Sequence, residues 1–206
     1  MQILKDDVRL EILRQARVEF ISKEFRGASL RAIARKAGMT VGNIYRYFKN
    51  KDVLFRELLA PVIGQVEMMK MGMRQHERTP KGSQAETAEH DQITFGIYTF
   101  ILTHREDLKL LLTGAGGSSL ENFEEELILW YAGIYKKALQ ETWAHIGKGE
   151  FNVHDRTIYL VAQSVADSII EVIVNEYSLE EVRIVAAEMS AFFEGGTRRI
   201  LASKNL

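Results

Sequence analysis

Apolar residues recur along the chain at steps of three and four, the spacing of helices that bury one stripe. Leu10, Leu13, Ala16 and Phe20 place such a stripe on a first helix over residues 6–25, which Gly27 ends. Ser29 suits an N-cap, and Leu30, Ile33 and Ala37 form the inner face of a short second helix that stops at Gly38. Thr40 caps a third, in which Ile44 and Phe48 lie four apart and face inward. Asn50, Lys51 and Asp52 restart the chain as a fourth helix with an acid in its first turn.

The fourth helix meets Pro61, which kinks or divides it, and continues through Met68, Met69, Met71 and Met73. A loop is expected over residues 75–84, where Pro80 and Gly82 fall. Ser83 and Glu86 have capping-box spacing for a fifth helix over 86–103, and a short sixth covers 106–113. The segment from Gly114 to Ser119 has no preceding strand and no closing Lys-Ser/Thr pair, so it reads as a connector between helices, not a phosphate loop. Ser118 with Glu121 is a second capping box, for a seventh helix reaching Gly147. Ser178 with Glu181 is a third, dividing two last helices at 155–176 and 179–203. The expected fold is all-α: a three-helix head with a helix-turn-helix over residues 1–56, and a larger helical domain over 57–206.

Composition narrows the function. A chain of 206 residues, 46% hydrophobic and 27% charged, buries one substantial core or two small ones, which excludes disorder as its bulk state. With no cysteine, a disulfide scaffold, a thiolate metal site and a cysteine nucleophile are all excluded. Uninterrupted apolar stretches such as 95–101 fall well short of the ~20 residues that span a bilayer, so no membrane insertion is expected. The charged first residues lack the apolar core of an export signal, and the expected location is the cytoplasm.

The net charge of −1 conceals an asymmetry. Residues 1–56 hold 13 lysines and arginines against 6 acids, whereas the remainder holds 14 against 22. A basic module on an acidic one directs a polyanion to the first, although charge alone leaves a merely solvated basic surface open as well. The order of residues says more. Counting about 100° per residue from Ile44 and Phe48 puts Gly42, Asn43 and Arg46 opposite the buried stripe, with Tyr45 and Tyr47 on its flanks. Gly42 permits close backbone approach, Asn43 presents an amide to a base, and Arg46 forks onto guanine or phosphate. Lys51 and the amides behind Ser29 suit phosphates on either side. The same geometry also permits tyrosines that only pack and an arginine that is only solvated.

The run from Ser29 through Lys51 resembles the DNA-binding head of the tetracycline-repressor (TetR) family of bacterial regulators, over residues 6–58. The small capping residue, Ile33-Ala34, the turn glycine, Gly42, the stretch from Tyr45 to Phe48 and Lys51 carry the resemblance. It implies about nine helices, a ligand cavity in the larger domain and a homodimer held by the last two helices. It also implies DNA contacts at Ser29, Arg31, Thr40, Val41, Gly42, Asn43, Tyr45, Tyr47 and Lys51, beside the Arg46 found from geometry. Val41 stands where many members have a lysine or another polar residue, and Lys49 where many have proline.

In the larger domain, Gln163, Ser164, Asp167, Ser168 and Glu171 fall on one sector of about 140°, leaving an apolar face of roughly 220°. So wide a face needs central burial or a second subunit. Val182, Val185, Met189 and Phe192, with Gly195 and Gly196, give the last helix a stripe for a four-helix bundle between two chains. Aromatic residues and methionines supply surface for a cavity, and Tyr98, Trp130 and Tyr131 are candidate ligand residues because each has a polar handle. No catalytic residue, metal site or cofactor is expected; the five histidines are too dispersed for a local metal motif.

The sequence thus reads as a ligand-responsive homodimeric repressor that binds a near-palindromic DNA operator and leaves it when a small-molecule effector binds. The alternative is a helical interaction protein that binds DNA together with a protein partner and takes no effector.

Overall fold

The computed structural model describes the backbone of residues 2–76, 96–146 and 150–203. Among these residues nine helices form and no strand, as the periodicity predicts. They are α1 (Gln2–Gly27), α2 (Leu30–Lys36), α3 (Val41–Tyr45), α4 (Lys51–His76), α5 (96–103), α6 (Arg105–Leu112), α7 (Phe123–Ile146), α8 (Asp155–Val174) and α9 (Leu179–Ser203). The expected start of a helix at 86, its Ser83–Glu86 box, most of the 75–84 loop and Phe95 lie outside the described residues.

Packing divides the chain into two compact units. The first takes Met1–Met68 together with His104–Glu124, so the helix-turn-helix shares its unit with α6 and the segment that follows it. The second takes Met69–Thr103 and Glu125–Leu206. Charge changes sign near residue 56, whereas compactness follows the tertiary contacts of α4 and α6.

In the first unit the core is Ile12, Ala16, Phe20, Ile33, Ile44, Phe48, Leu54, Phe55 and Leu59, all fully buried. The stripe on α1 therefore begins at Ile12, and the expected Leu10 is 63% exposed. The two residues lie about 200° apart on a helix, so only one of them faces the core. The cap at Ser29 forms, its Oγ accepting the N–H of Arg31 at 3.2 Å, and Thr40 Oγ1 accepts that of Asn43 at 3.3 Å. Gly38 adopts φ 67°, the left-handed turn for which the sequence supplies a glycine. Asn50 Oδ1 accepts the Val53 N–H at 2.8 Å and starts α4, which runs without a break through Pro61.

The first helix breaks three residues before Gly27. Glu24 has φ 55° and ψ −179°, a region that non-glycine residues enter at a cost of about 1–3 kcal/mol. Phe25 explains the break. It follows Phe20 by five positions, and a regular helix would point the two about 140° apart. The break turns Phe25 onto the side of Phe20, at 6.1 Å between ring centroids, and of Phe55, at 5.0 Å. Burial of a phenylalanine stabilises by about 1.5–3 kcal/mol, enough to offset the strained backbone.

Ion pairs tie α1 to three neighbours. Arg9 meets Glu57 of α4 at 2.6 Å, and Arg17 meets Asp107 of α6. Buried Glu19 accepts from Lys36 of α2 at 2.8 Å. The Lys36 ammonium, helped by the backbone N–H of Ser29, holds the Glu19 carboxyl below the usual carboxylate range against the opposing effect of burial.

One expected cap does not form. The helix α7 starts at Phe123, beyond the place a box at Ser118 requires. Ser118 is instead buried, its Oγ donating to the Ala115 carbonyl at 2.7 Å and accepting from the Leu120 N–H at 3.0 Å. Glu121 takes the Gly117 N–H at 3.0 Å, so the residues of the expected box close a turn.

The second unit packs α7, α8 and α9 around Leu139, Trp143, Val153, Ile158 and Leu201. The Tyr135 hydroxyl bonds Thr197 Oγ1 at 2.6 Å, and Lys136 pairs with Asp155 at 2.7 Å. The expected box at Ser178 forms in both directions: the Ser178 N–H reaches Glu181 at 2.8 Å and Ser178 Oγ accepts the Glu181 N–H at 3.3 Å. The α8 helix, 20 residues long, is apolar enough to cross a membrane by length and composition, although interspersed polar residues leave it no long uninterrupted apolar run. Only 22% of its most apolar stretch is buried within the chain.

The Glu19–Lys36 pair sets a pH dependence. Because the folded carboxyl is lowered, its stabilisation is complete above the unfolded value of about 4.3 and is lost as pH falls through the folded one. Glu19→Gln should cost about 1–2 kcal/mol at pH 7, and the gap to the wild type should narrow below pH 4; thermal melts across that range measure it.

Candidate nucleic-acid interface

The recognition helix is placed from within. Ile44 and Phe48 are fully buried, which leaves Gly42, Asn43 and Arg46 exposed on the opposite side and Tyr45 54% exposed. Val41 and Tyr47 are half-buried at the edges of that face. A Cβ at Gly42 would meet only Thr40 Oγ1, at 3.8 Å, so nothing inside the chain requires glycine there. The space above it is open to a partner. Ser29 and Thr40 are exposed, and each hydroxyl oxygen accepts a capping N–H while its proton stays available for a phosphate oxygen.

Some cations of the head are paired and others are not. Arg9, Arg14, Arg17 and Lys36 have carboxylate partners within the fold. Arg31, Arg35, Arg46 and Lys49, on or beside the helix-turn-helix, are exposed and have no ion pair among the described residues. Arg35 is an addition to the residues found from sequence. Its signal was its position four residues after Arg31, which gives both the same face of α2.

Lys51 sits differently from its fellow candidates. Its ammonium points into the head, donating to the carbonyls of Phe25 at 2.7 Å and Ala28 at 3.1 Å and approaching that of Arg26 at 3.5 Å. It also lies 4.4 Å from the centroid of the Phe25 ring. A contact from this ammonium to phosphate would compete with those carbonyls.

In the second unit, Tyr98 and Tyr131 are half-buried. Burial pushes the Tyr98 hydroxyl up, and burial with the neighbouring Tyr135 and Tyr98 hydroxyls does the same for Tyr131. Trp130 Nε1 is a buried donor with no hydrogen-bond partner, and the Lys70 ammonium lies 5.4 Å from its ring centroid. Met68 and Met71 are 65% and 61% exposed, so these two of the methionines considered for a cavity face outward. Among the described residues no group of three histidine, aspartate or glutamate side chains is placed to hold a metal ion.

The family of bacterial regulatory proteins known as tetR matches residues 12–58. The fold matches NalD, the secondary repressor of the MexAB-OprM multidrug efflux pump of Pseudomonas aeruginosa, with TM-score 0.62 and 16% identity over 91% of this chain and 95% of that one. It also matches a TetR-like transcriptional regulator from Rhodococcus sp. RHA1, with TM-score 0.52 and 18% identity over 87% and 92%. A third match is the transcriptional regulator FadR from Bacillus subtilis in complex with stearoyl-CoA, with TM-score 0.52 and 18% identity over 86% and 95%. No curated protein matches the chain.

Reading and holding would be separable at this candidate interface. Asn43→Ala should change the preference among DNA sequences, while Arg46→Ala, if Arg46 holds phosphate, should weaken all duplexes and reduce the salt slope by about 0.9. Binding titrations over a salt series on two unrelated duplexes distinguish the two outcomes.

Proposed function

We propose that this chain, whose residues 12–58 match the tetR family of bacterial regulatory proteins, is a homodimeric DNA-binding repressor of that family, acting in the cytoplasm, that a small molecule releases from its operator. The observation that carries the DNA part is the pairing pattern of its cations. Arg9, Arg14, Arg17 and Lys36 are paired with carboxylates within the fold, while Arg31, Arg35, Arg46 and Lys49 keep their charge exposed beside an open recognition face. A set of unpaired cations around a helix with a glycine and an amide outward suits a phosphate backbone and a base edge. This role assigns the chain no catalysed reaction.

Dimerisation rests on surface that the single chain leaves uncovered. Leu160 of α8 is 54% exposed, and Ile184 and Phe192 of α9 are 51% and 71% exposed. A Cβ on Gly195 or Gly196 would meet nothing within 4 Å, so packing within the chain does not require either glycine. Of the stripe expected on α9, Val182 is fully buried within its own chain and belongs to the core, whereas Phe192 remains for a partner. Two copies related by a two-fold axis would bring α8 and α9 of each into a four-helix bundle. Such a dimer presents two recognition helices to major grooves about 34 Å or a multiple apart.

The effector reading rests on the unpaired Trp130 Nε1 beside Lys70, and on the half-buried Tyr98 and Tyr131. A buried indole N–H without an acceptor is costly, and a ligand oxygen would satisfy it. The Bacillus subtilis regulator FadR, which this fold matches, is in complex with stearoyl-CoA. Effector binding would favour a population of dimers whose heads no longer match the two grooves, with α4 as the lever.

Fluorescence anisotropy on DNA from upstream of its own gene and on a scrambled duplex tests the reading. Preferential binding by a dimer supports it, and binding of neither duplex at low salt speaks for a role with a partner protein. Phe192→Asp should shift sedimentation from dimer to monomer and lower affinity for the upstream duplex at least tenfold, because a charge at an apolar interface costs more than ~1.4 kcal/mol.

A further inference from the structure

The helix-turn-helix is a loop of chain with two stems. One stem is the corner at residues 25–28, from which α2 departs, and the other is the first turn of α4 at residues 50–53. Lys51 staples them, its ammonium donating to the carbonyls of Phe25 and Ala28 at 2.7 and 3.1 Å. The segment from Gly114 to Ser119 braces both stems at once. The Gly114 carbonyl accepts the Phe25 N–H at 2.9 Å. Gly116 and Gly117 lie against the Arg26 side chain, so closely that a Cβ on Gly117 would stand 3.2 Å from Arg26 Cγ and Nε. On the other stem the Asp52 carboxylate accepts the Ser119 N–H at 2.7 Å and the Ser119 hydroxyl at 2.9 Å.

We propose that the segment from Gly114 to Ser119 is a positioning element of the DNA-binding head, and that Asp52, through Ser119, holds the recognition helix in the register that DNA requires. This rests on the DNA-binding reading above. The brace follows α6 directly and leads into α7, so it joins the stems to helices that hold none of the candidate DNA-contact residues. Phe25 is held on three sides: its N–H by the brace, its carbonyl by Lys51, and its ring by Phe20 and Phe55. Loss of the brace on one stem and of the Asp52 bonds on the other frees the base of the helix-turn-helix while leaving its outward residues in place.

The proposal and simple electrostatics predict opposite signs. Removing a carboxylate from a surface that meets a polyanion raises affinity when the charge acts directly. If Asp52 acts as a positioning residue, Asp52→Ala lowers affinity. The probe is the tightest duplex recovered from a random library by wild-type protein, compared with a scrambled duplex at a temperature where melts show each variant folded. Asp52→Ala should weaken the selected duplex about five- to tenfold and the scrambled duplex less. Ser119→Ala changes no charge and should weaken it in the same direction, and its effect should shrink in the Asp52→Ala background, because the two share one interaction. Gly117→Ala, which forces a side chain onto φ +85° and against Arg26, should reproduce the loss without touching Asp52. Unchanged or tighter binding by folded Asp52→Ala overturns the proposal while the DNA reading stands. Failure of the wild-type protein to select any duplex overturns both.

Discussion

The Lys51 ammonium is the contact on which the head depends. Its donors reach two carbonyls of the corner after α1, and its charge lies over the ring of Phe25, so one side chain closes the base of the helix-turn-helix. A lysine at the start of a helix gains nothing from the helix dipole, which favours acids there. Here the carbonyls at the end of α1 supply the compensating negative potential, and Asp52 beside it supplies the acid that the first turn of α4 favours. The arrangement uses one helix end to satisfy another: the carbonyls left without partners where α1 ends take their donors from the residue that begins α4.

That closure requires the chain to turn sharply at Glu24, and the turn has an energetic logic. A glycine would enter this backbone region freely, yet the sequence places its glycine three residues later. The strain is local and the compensation is tertiary. Phe25 enters an aromatic cluster in which Phe20 and Phe55 stand 4.9 Å apart, its N–H finds the Gly114 carbonyl, and its own carbonyl finds Lys51. A conformation that costs about 1–3 kcal/mol persists because several neighbours each define it. The consequence is a corner whose geometry depends on α4 and on the segment after α6 as much as on α1.

These dependencies explain what was legible in the sequence. Local signals with a local physical cause were read correctly: caps at Ser29, Thr40 and Ser178, the left-handed Gly38, and the buried pair Ile44 and Phe48 that exposes Asn43 and Arg46. Where two readings share one periodicity, only packing decides. Leu10 and Ile12 begin equally good stripes, and the core took the second. Where a side chain has a choice of partners, spacing misleads. Ser118 and Glu121 have the separation of a capping box but lie in a turn that faces Ala115 and Gly117, since the chain must stay close to the head until Ser119 has met Asp52. The inward turn of Lys51 was illegible for a related reason: its partners are backbone carbonyls, which leave no mark on residue identity.

The same distinction bears on α8 and α9. Hydrophobicity alone does not tell a helix buried in its own chain from one that waits for a second copy or one that lies in lipid. Exposure within the folded chain is more discriminating. Val182, Ala186 and Leu201 are satisfied internally, while Leu160, Ile184 and Phe192 keep large apolar surfaces open beside glycines that need no space within the chain. Polar residues also argue against lipid, because Asp167 and Glu171 stand in the middle and last turns of α8, where a spanning helix would have to bury them at a cost of several kcal/mol. A protein partner would cover the apolar sector and leave the carboxylates in water. Two-fold pairing, as proposed, would do this with a single sequence and would fix the distance between two heads, the quantity that a shift in α4 or α6 would have to change to release DNA.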